Sequence, residues 1–149
     1  MPRTHDPMIL VVEDDDDDRF MIRIAFKKSD IRGDLRFVHD GEELMDFLRS
    51  GNTPGNGPVS ARPALVVLDL NMPRKNGREV LAEIRADGKF ADLPVMILTT
   101  SNEPKDKDFC AELGVVDYVI KPSDLDGLLK MMETINRHRN DNAVPRGGE

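Results

Sequence analysis

Short apolar runs divide the chain. Residues 8–12, 65–68 and 95–98 are almost wholly apolar, and 115–120 and the shorter 35–38 are more mixed. Runs of this length are too short for most helices and suit strands, the apolar ones buried on both faces. Between them the period changes to that of a helix. From Asp15 to about Ser29, Met21, Ile24, Ala25 and Lys28 fall at helical spacing with Phe20 beside them. Ile22 and Phe26 form a second i, i+4 pair there, so this helix carries either a wide core stripe or a surplus face for a partner. Residues 42–49 predict a helix with Leu44, Phe47 and Leu48 inward, and 76–86 one with Val80, Leu81 and Ile84 inward. Residues 104–113 predict another, started by Pro104, buried through Phe109, Cys110 and Leu113 and stopped by Gly114. The last begins near Ser123 or Asp124, with Leu125, Leu128, Leu129, Met132 and Ile135 as its stripe. Residues 50–62, rich in Gly, Pro, Asn and Ser, read as a long surface loop, a tolerated surface insertion in preference to a lid or a partner contact.

Five alternations of strand and helix define an α/β domain, a parallel sheet with helices on both faces. The expected organisation is one domain over residues 8–139, with flexible segments at 1–7 and 140–149. In open sheets of this class, sites form beyond the carboxyl ends of the strands. Here those ends carry Glu13 and Asp14, Asp69, Thr99, and Lys121. A parallel sheet delivers all of them to one edge. Three neighbouring carboxylates repel, so one takes up a proton unless cations compensate. Lys121 is one cation, and a divalent ion is the natural second. An all-oxygen donor set suits Mg2+ better than zinc, which prefers His and Cys. Such an ion favours phosphate, with a carboxylate as nucleophile and Thr99 and Lys121 as contacts for phosphoryl oxygens.

The order Glu13-Asp14, Asp69 within Leu68-Asp69-Leu70-Asn71-Met72-Pro73, Thr99, and Lys121-Pro122 resembles the receiver domain of two-component response regulators, over about residues 8–136. That resemblance implies a (βα)5 flavodoxin-like three-layer sandwich with strand order 2-1-3-4-5. It implies that Asp69 accepts a phosphoryl group from a sensor histidine kinase. It places Mg2+ on Asp14 and Asp69 with the backbone carbonyl of Asn71, Glu13 acting mainly through water. Thr99 and Lys121 grip the phosphoryl oxygens, and Thr99 and Tyr118 form the switch. The Lys121-Pro122 bond, commonly cis in the family, is expected to aim the lysine inward. Phosphorylation then shifts populations, changing the surface of the fourth helix, fifth strand and fifth helix. Glu-Asp in the acidic pair, Leu-Thr-Thr-Ser, Lys-Pro-Ser and the long 50–62 loop resemble the single-domain regulators partnered with bacterial phytochrome kinases. Homodimers through that same surface are common in the subgroup, and the kinase docks near the first helix, which points to Ile22 and Phe26. Asn76 stands where the family often has Asp, outside the pocket.

Composition narrows the rest. A net charge of −7 argues against nucleic-acid and membrane partners. The single cysteine, Cys110, forms no internal disulfide and fits a reducing, cytoplasmic setting. Asp15–Asp18 reads as solvated first-turn acids. A calcium loop is excluded, because Arg19 and Ala25 stand where Gly and Glu are required. Two other classes remain. The same nucleophile, ion, Thr and Lys resemble dehalogenase-type phosphatases, but those need an acid at the position of Asn71. A receiver-like scaffold that is never phosphorylated is the other, and the intact pocket argues against it. The expected protein is no turnover enzyme: its own chemistry is limited to gaining and losing one phosphoryl group at Asp69.

Overall fold

Side chains alternate along the central strands, so each strand feeds two cores. The computed structural model describes residues 7–50, 52–53, 57–58, 62–72 and 76–143. Five strands, β1 (Met8–Val12), β2 (Asp34–Val38), β3 (Leu65–Leu68), β4 (Val95–Thr99) and β5 (Asp117–Ile120), form one parallel sheet in the order β2-β1-β3-β4-β5. The helices are α1 (Asp16–Lys28), α2 (Gly41–Ser50), α3 (Gly77–Ala86), α4 (Pro104–Glu112) and α5 (Leu125–Ala143). Leu10, Val12, Val66, Leu68 and Ile97 pack on one face with Leu44, Phe47, Val80, Leu81, Ile84 and Cys110, drawn from α2, α3 and α4. Ile9, Val11, Leu65, Val67, Met96 and Leu98 pack on the other with Ile22, Ala25, Leu128, Met132 and Ile135, drawn from α1 and α5. Three layers result, as the alternation of elements predicts.

Three details differ from expectation. α1 is turned: Ile22 is 2 % exposed and belongs to the core, whereas Phe20 is 60 % exposed. The rotation follows from Arg19, which is buried because its guanidinium donates to the Glu13 carbonyl at 2.6 Å. With Arg19 inward, Ile22, Ala25 and Phe26 follow at i+3, i+6 and i+7, and Phe20 and Ile24 are left outside both core clusters. Ile22 and Phe26 are therefore the core stripe, and Phe20 is the outward group. α5 runs to Ala143, past the domain end expected at residue 139, since no Pro or Gly interrupts it there. Within the expected loop, Asn52–Thr53 and Gly57–Pro58 pair as a two-residue antiparallel ladder. The rest of that loop between Ser50 and Arg62 and the expected flexible segments, apart from Pro7 and residues 140–143, lie outside the described residues. Pro7 itself accepts from the Asp34 amide at 2.8 Å, at the head of the sheet.

Candidate functional site at the strand ends

Register fixes where the chemistry gathers. Val12 lies beside Leu68 on β3, Leu68 beside Ile97, and Thr99 beside Ile120. The next residues, Glu13, Asp69 and Lys121, therefore leave the sheet at one edge with Thr99. The chain goes from β1 outward to β2 and then returns to β3 on β1's other side. Glu13 and Asp69 straddle that switch point, the usual crevice of an open parallel sheet.

Lys121 occupies the centre. Its Nζ lies 2.7 Å from Glu13 Oε1, 2.8 Å from Asp18 Oδ2 and 3.3 Å from Asp69 Oδ2. An ammonium has three donors, and all three are engaged here. Burial alone would lower the Lys121 pKa, but bonds to Asp18 and Glu13 and the charge of Asp69 outweigh it and hold it above the ordinary value. Glu13 is 1 % exposed, and burial raises its pKa despite the bonds from Lys121 and the Asp15 amide. The Asn71 amide donates to Asp69 Oδ1 at 3.0 Å, so both oxygens of Asp69 have partners. Thr99 is fully buried, and its hydroxyl oxygen accepts from the Ser101 amide at 3.2 Å and from Asn71 Nδ2 at 3.3 Å. With its acceptor capacity used, the one hydrogen of Thr99 is left to donate.

The Lys121-Pro122 bond is not cis: the described residues contain no cis peptide. With that bond trans, Lys121 Nζ still reaches Glu13, Asp18 and Asp69, and the Lys121 amide donates to the Thr99 carbonyl at 2.7 Å. The expected metal ligands are two carboxylates, Asp14 and Asp69, and the Asn71 carbonyl, with Glu13 acting through water. Among the described residues no three Asp, Glu, His or Cys side chains converge on a metal position. Asp14 is exposed, and the Lys121 ammonium stands between Glu13 and Asp69. The donors themselves, all carboxylate or carbonyl oxygens at adjacent strand ends, have the chemistry of a hard-cation site.

Close packing joins the start of α3 to Asp69 and Leu70. The Gly77 amide donates to the Leu70 carbonyl at 3.0 Å, and a Cβ at Gly77 would lie 2.1 Å from the Asp69 carbonyl oxygen. Asn76 caps α3 and forms a capping box with Glu79. Tyr118 on β5 is half-buried, and its hydroxyl donates to the Ser101 carbonyl at 2.9 Å. Burial raises its pKa.

Sequence reasoning passed over four members of this neighbourhood. Asp18 is a partner of Lys121 rather than a purely solvated acid; its place in the first turn of a helix leaving the strand edge was the available signal. Arg19 buttresses the Glu13 carbonyl. Arg78 and Asp106 form a bidentate pair, each bond 2.7 Å, and nothing in their spacing predicts it.

A family model described as the response regulator receiver domain matches residues 9–133. The chain belongs to this receiver family. Response regulator Rcp1 of Synechocystis is 40% identical over 128 residues, which cover 86% of this receiver and 85% of Rcp1. The Mn2+-bound structure of Rcp1 superposes with a TM-score of 0.74, covering 87% of this chain and 91% of that one. The phosphorylated cyanobacterial phytochrome response regulator RcpA superposes at 0.79 with 34% identity, covering 93% and 97%. A response regulator in red light signaling of R. palustris gives 0.75 at 35% identity, covering 87% and 90%. This receiver thus has the sheet order and helix count that its sequence resemblance implies. Among its described residues no helix is long and apolar enough to cross a membrane.

Proposed function

We propose that Asp69 is the phosphoacceptor of this receiver. One observation carries the reading: a buried strand-end carboxylate shares the Lys121 ammonium with Glu13, beside a buried Thr99 hydroxyl that has a hydrogen to give. An oxygen of Asp69 attacks the phosphorus of a phosphohistidine; the P–O bond forms, the P–N bond breaks, and the imidazole nitrogen keeps the electron pair. The longest Lys121 contact, 3.3 Å, is the one to Asp69 itself. When that oxygen becomes the bridging oxygen of an acyl phosphate, this donor turns to a phosphoryl oxygen while Glu13 and Asp18 keep the other two. Thr99 donates to a second phosphoryl oxygen. Glu13, Asp14, Asp69 and the Asn71 carbonyl are the residues to hold Mg2+, which when bound offsets the charge of the incoming phosphoryl group.

The donor is a sensor histidine kinase, and the likeness to the cyanobacterial phytochrome response regulator RcpA favours a bacterial phytochrome. Thr99 and Tyr118 relay the change to α4, β5 and α5. Ile120 is 43 % exposed on the edge strand β5, which favours that face for a homodimer. The reading carries no nucleic-acid partner and no turnover chemistry. The phosphatase alternative is disfavoured because Asn71 supplies an amide donor to Thr99 where an acid is needed.

Incubation with acetyl phosphate and Mg2+, followed by intact-mass analysis, is the test. One added phosphoryl group, absent in Asp69→Asn, is the expected result. No adduct in the wild type, or an adduct that persists in Asp69→Asn, overturns the assignment. Transfer from a purified bacterial phytochrome kinase, compared with an unrelated histidine kinase, tests the partner. Sedimentation velocity of wild type and Ile120→Asp tests the dimer.

A further inference from the structure

Arg78 and Asp106 lie outside the phosphoryl pocket yet touch its frame at several points. Asp106 is 4 % exposed in the first turn of α4. Its Oδ1 and Oδ2 accept from Arg78 Nε and Nη2, each at 2.7 Å. Its Oδ2 also accepts from the Ser101 hydroxyl at 2.5 Å. Arg78 Nη1 reaches back to the Leu70 carbonyl, next in the chain to Asp69, at 3.4 Å. Ser101 in turn donates its amide to Thr99 and accepts the Tyr118 hydroxyl on its carbonyl. A continuous set of polar contacts therefore runs from the loop after Asp69, through Arg78, Asp106 and Ser101, to both Thr99 and Tyr118.

We propose that the Arg78–Asp106 pair is a positioning clamp that sets Ser101, and through Ser101 makes the placement of Tyr118 depend on the state of Asp69. The guanidinium and carboxylate meet as a planar fork, which fixes direction as well as distance. Arg78 takes its position from the start of α3, whose first residue, Gly77, abuts the Asp69 carbonyl. A displacement of the loop after Asp69 moves Leu70 and α3 and so reaches Asp106. With the clamp cut, Thr99 keeps its bond from Asn71, but Ser101 loses the side-chain route through Asp106 and Arg78 to the Leu70 carbonyl. Asp106 is held fully ionised by Arg78 and Ser101, its pKa pressed down to about 2, so the pair is charged at every working pH.

The inference rests on the receiver reading of Asp69, and the experiment separates the two. The chain has one Tyr and no Trp, so tyrosine fluorescence reports Tyr118 alone. Acetyl phosphate and Mg2+ are added to wild type, Asp106→Asn and the milder Ser101→Ala, and phosphorylated fraction and fluorescence change are read together. The expected result is equal phosphorylation at Asp69, with the fluorescence change per phosphorylated molecule reduced about fivefold or more in both variants, the low end of site-to-site coupling. Arg78→Lys, which keeps the charge but not the fork, is expected to behave as they do. Fluorescence changes equal to wild type in variants that are phosphorylated overturn the clamp. Absence of any adduct in the wild type overturns the receiver reading instead. If Asp106→Asn does not fold, Ser101→Ala and Arg78→Lys carry the same decision.

Discussion

Gly77→Ala is the sharpest perturbation of the proposed pocket that touches none of its reacting groups. The new methyl carbon would stand 2.1 Å from the Asp69 carbonyl oxygen and 2.7 Å from Leu70 Cα. Real Cβ contacts are essentially never under 3.0 Å, so about 0.9 Å must be found. Both obstructing atoms are backbone, and no rotamer change relieves them. Either α3 retreats, with loss of the Gly77–Leu70 hydrogen bond, or the Asp69 peptide moves. Overpacking of this kind costs about 1–3 kcal/mol. A reacting group misplaced by about 1 Å loses on the order of 10²-fold in rate. The assay is the initial rate of phosphoryl incorporation from acetyl phosphate, with a urea titration on the same samples. The expected outcome is a folded variant whose urea midpoint falls by about 1 M, from about 2 kcal/mol over an m-value near 2, and whose rate falls about 100-fold. Gly88→Ala is the control, since nothing lies within 4 Å of its added carbon. Wild-type labelling by a folded Gly77→Ala protein refutes the claim that the close approach of α3 fixes the reactive carboxylate.

Three further outcomes follow from the contacts. The Asp106 carboxyl, lowered from 3.8 to about 2 by Arg78, stabilises the fold by about 2 kcal/mol above pH 3.8, and this is lost as pH falls toward about 2; Asp106→Asn should flatten that acid limb in urea titrations, and an unchanged limb contradicts the assignment. Lys121→Met leaves Glu13 and Asp69 without their shared cation and should cost about 3–5 kcal/mol at neutral pH. Because the folded-state pKa of Glu13 is raised, proton uptake favours the fold, so part of this loss should be regained on acidification through that pKa; a deficit that grows in mild acid argues against it. Phe20→Asp should slow transfer from a histidine kinase at least about tenfold, the effect of losing roughly 1.4 kcal/mol of docking energy, while labelling by acetyl phosphate is spared; equal loss with both donors removes Phe20 from docking.

The sheet, its helices and the strand-end residues were legible because they depend on local rules. A run such as Leu65–Leu68 has one comfortable environment, and a parallel sheet carries every strand-end polar group to the same edge. What stayed hidden depends on rotation and on long-range pairing. Ile22 and Phe20 are two residues apart, and which is buried follows from the face that packs on the sheet, where Ile22 and Ala25 lie with Arg19 bonded to the Glu13 carbonyl. Arg78 and Asp106 are an ordinary helix-start pair of residues until tertiary structure brings two helix N-termini together. The cis Lys121-Pro122 bond that the resemblance implies is absent among the described residues, and Lys121 reaches Glu13 and Asp69 with the bond trans.

The placement of Asp69 and Tyr118 on different strands has a consequence for motion. β3 is flanked by β1 and β4, and its four residues are all buried. β5 has a neighbour on one side only, and its residues are half-buried or exposed. Amide hydrogens of β3 should therefore exchange only through global unfolding, and those of β5 through smaller, cheaper openings. On the proposed reading, Asp69 reacts at the end of a strand flanked on both sides, and Tyr118 reads it from the edge strand. On that reading a phosphoryl group at Asp69 should change the exchange of β5 amides more than that of β3 amides, and hydrogen exchange along β5 becomes the record of the change.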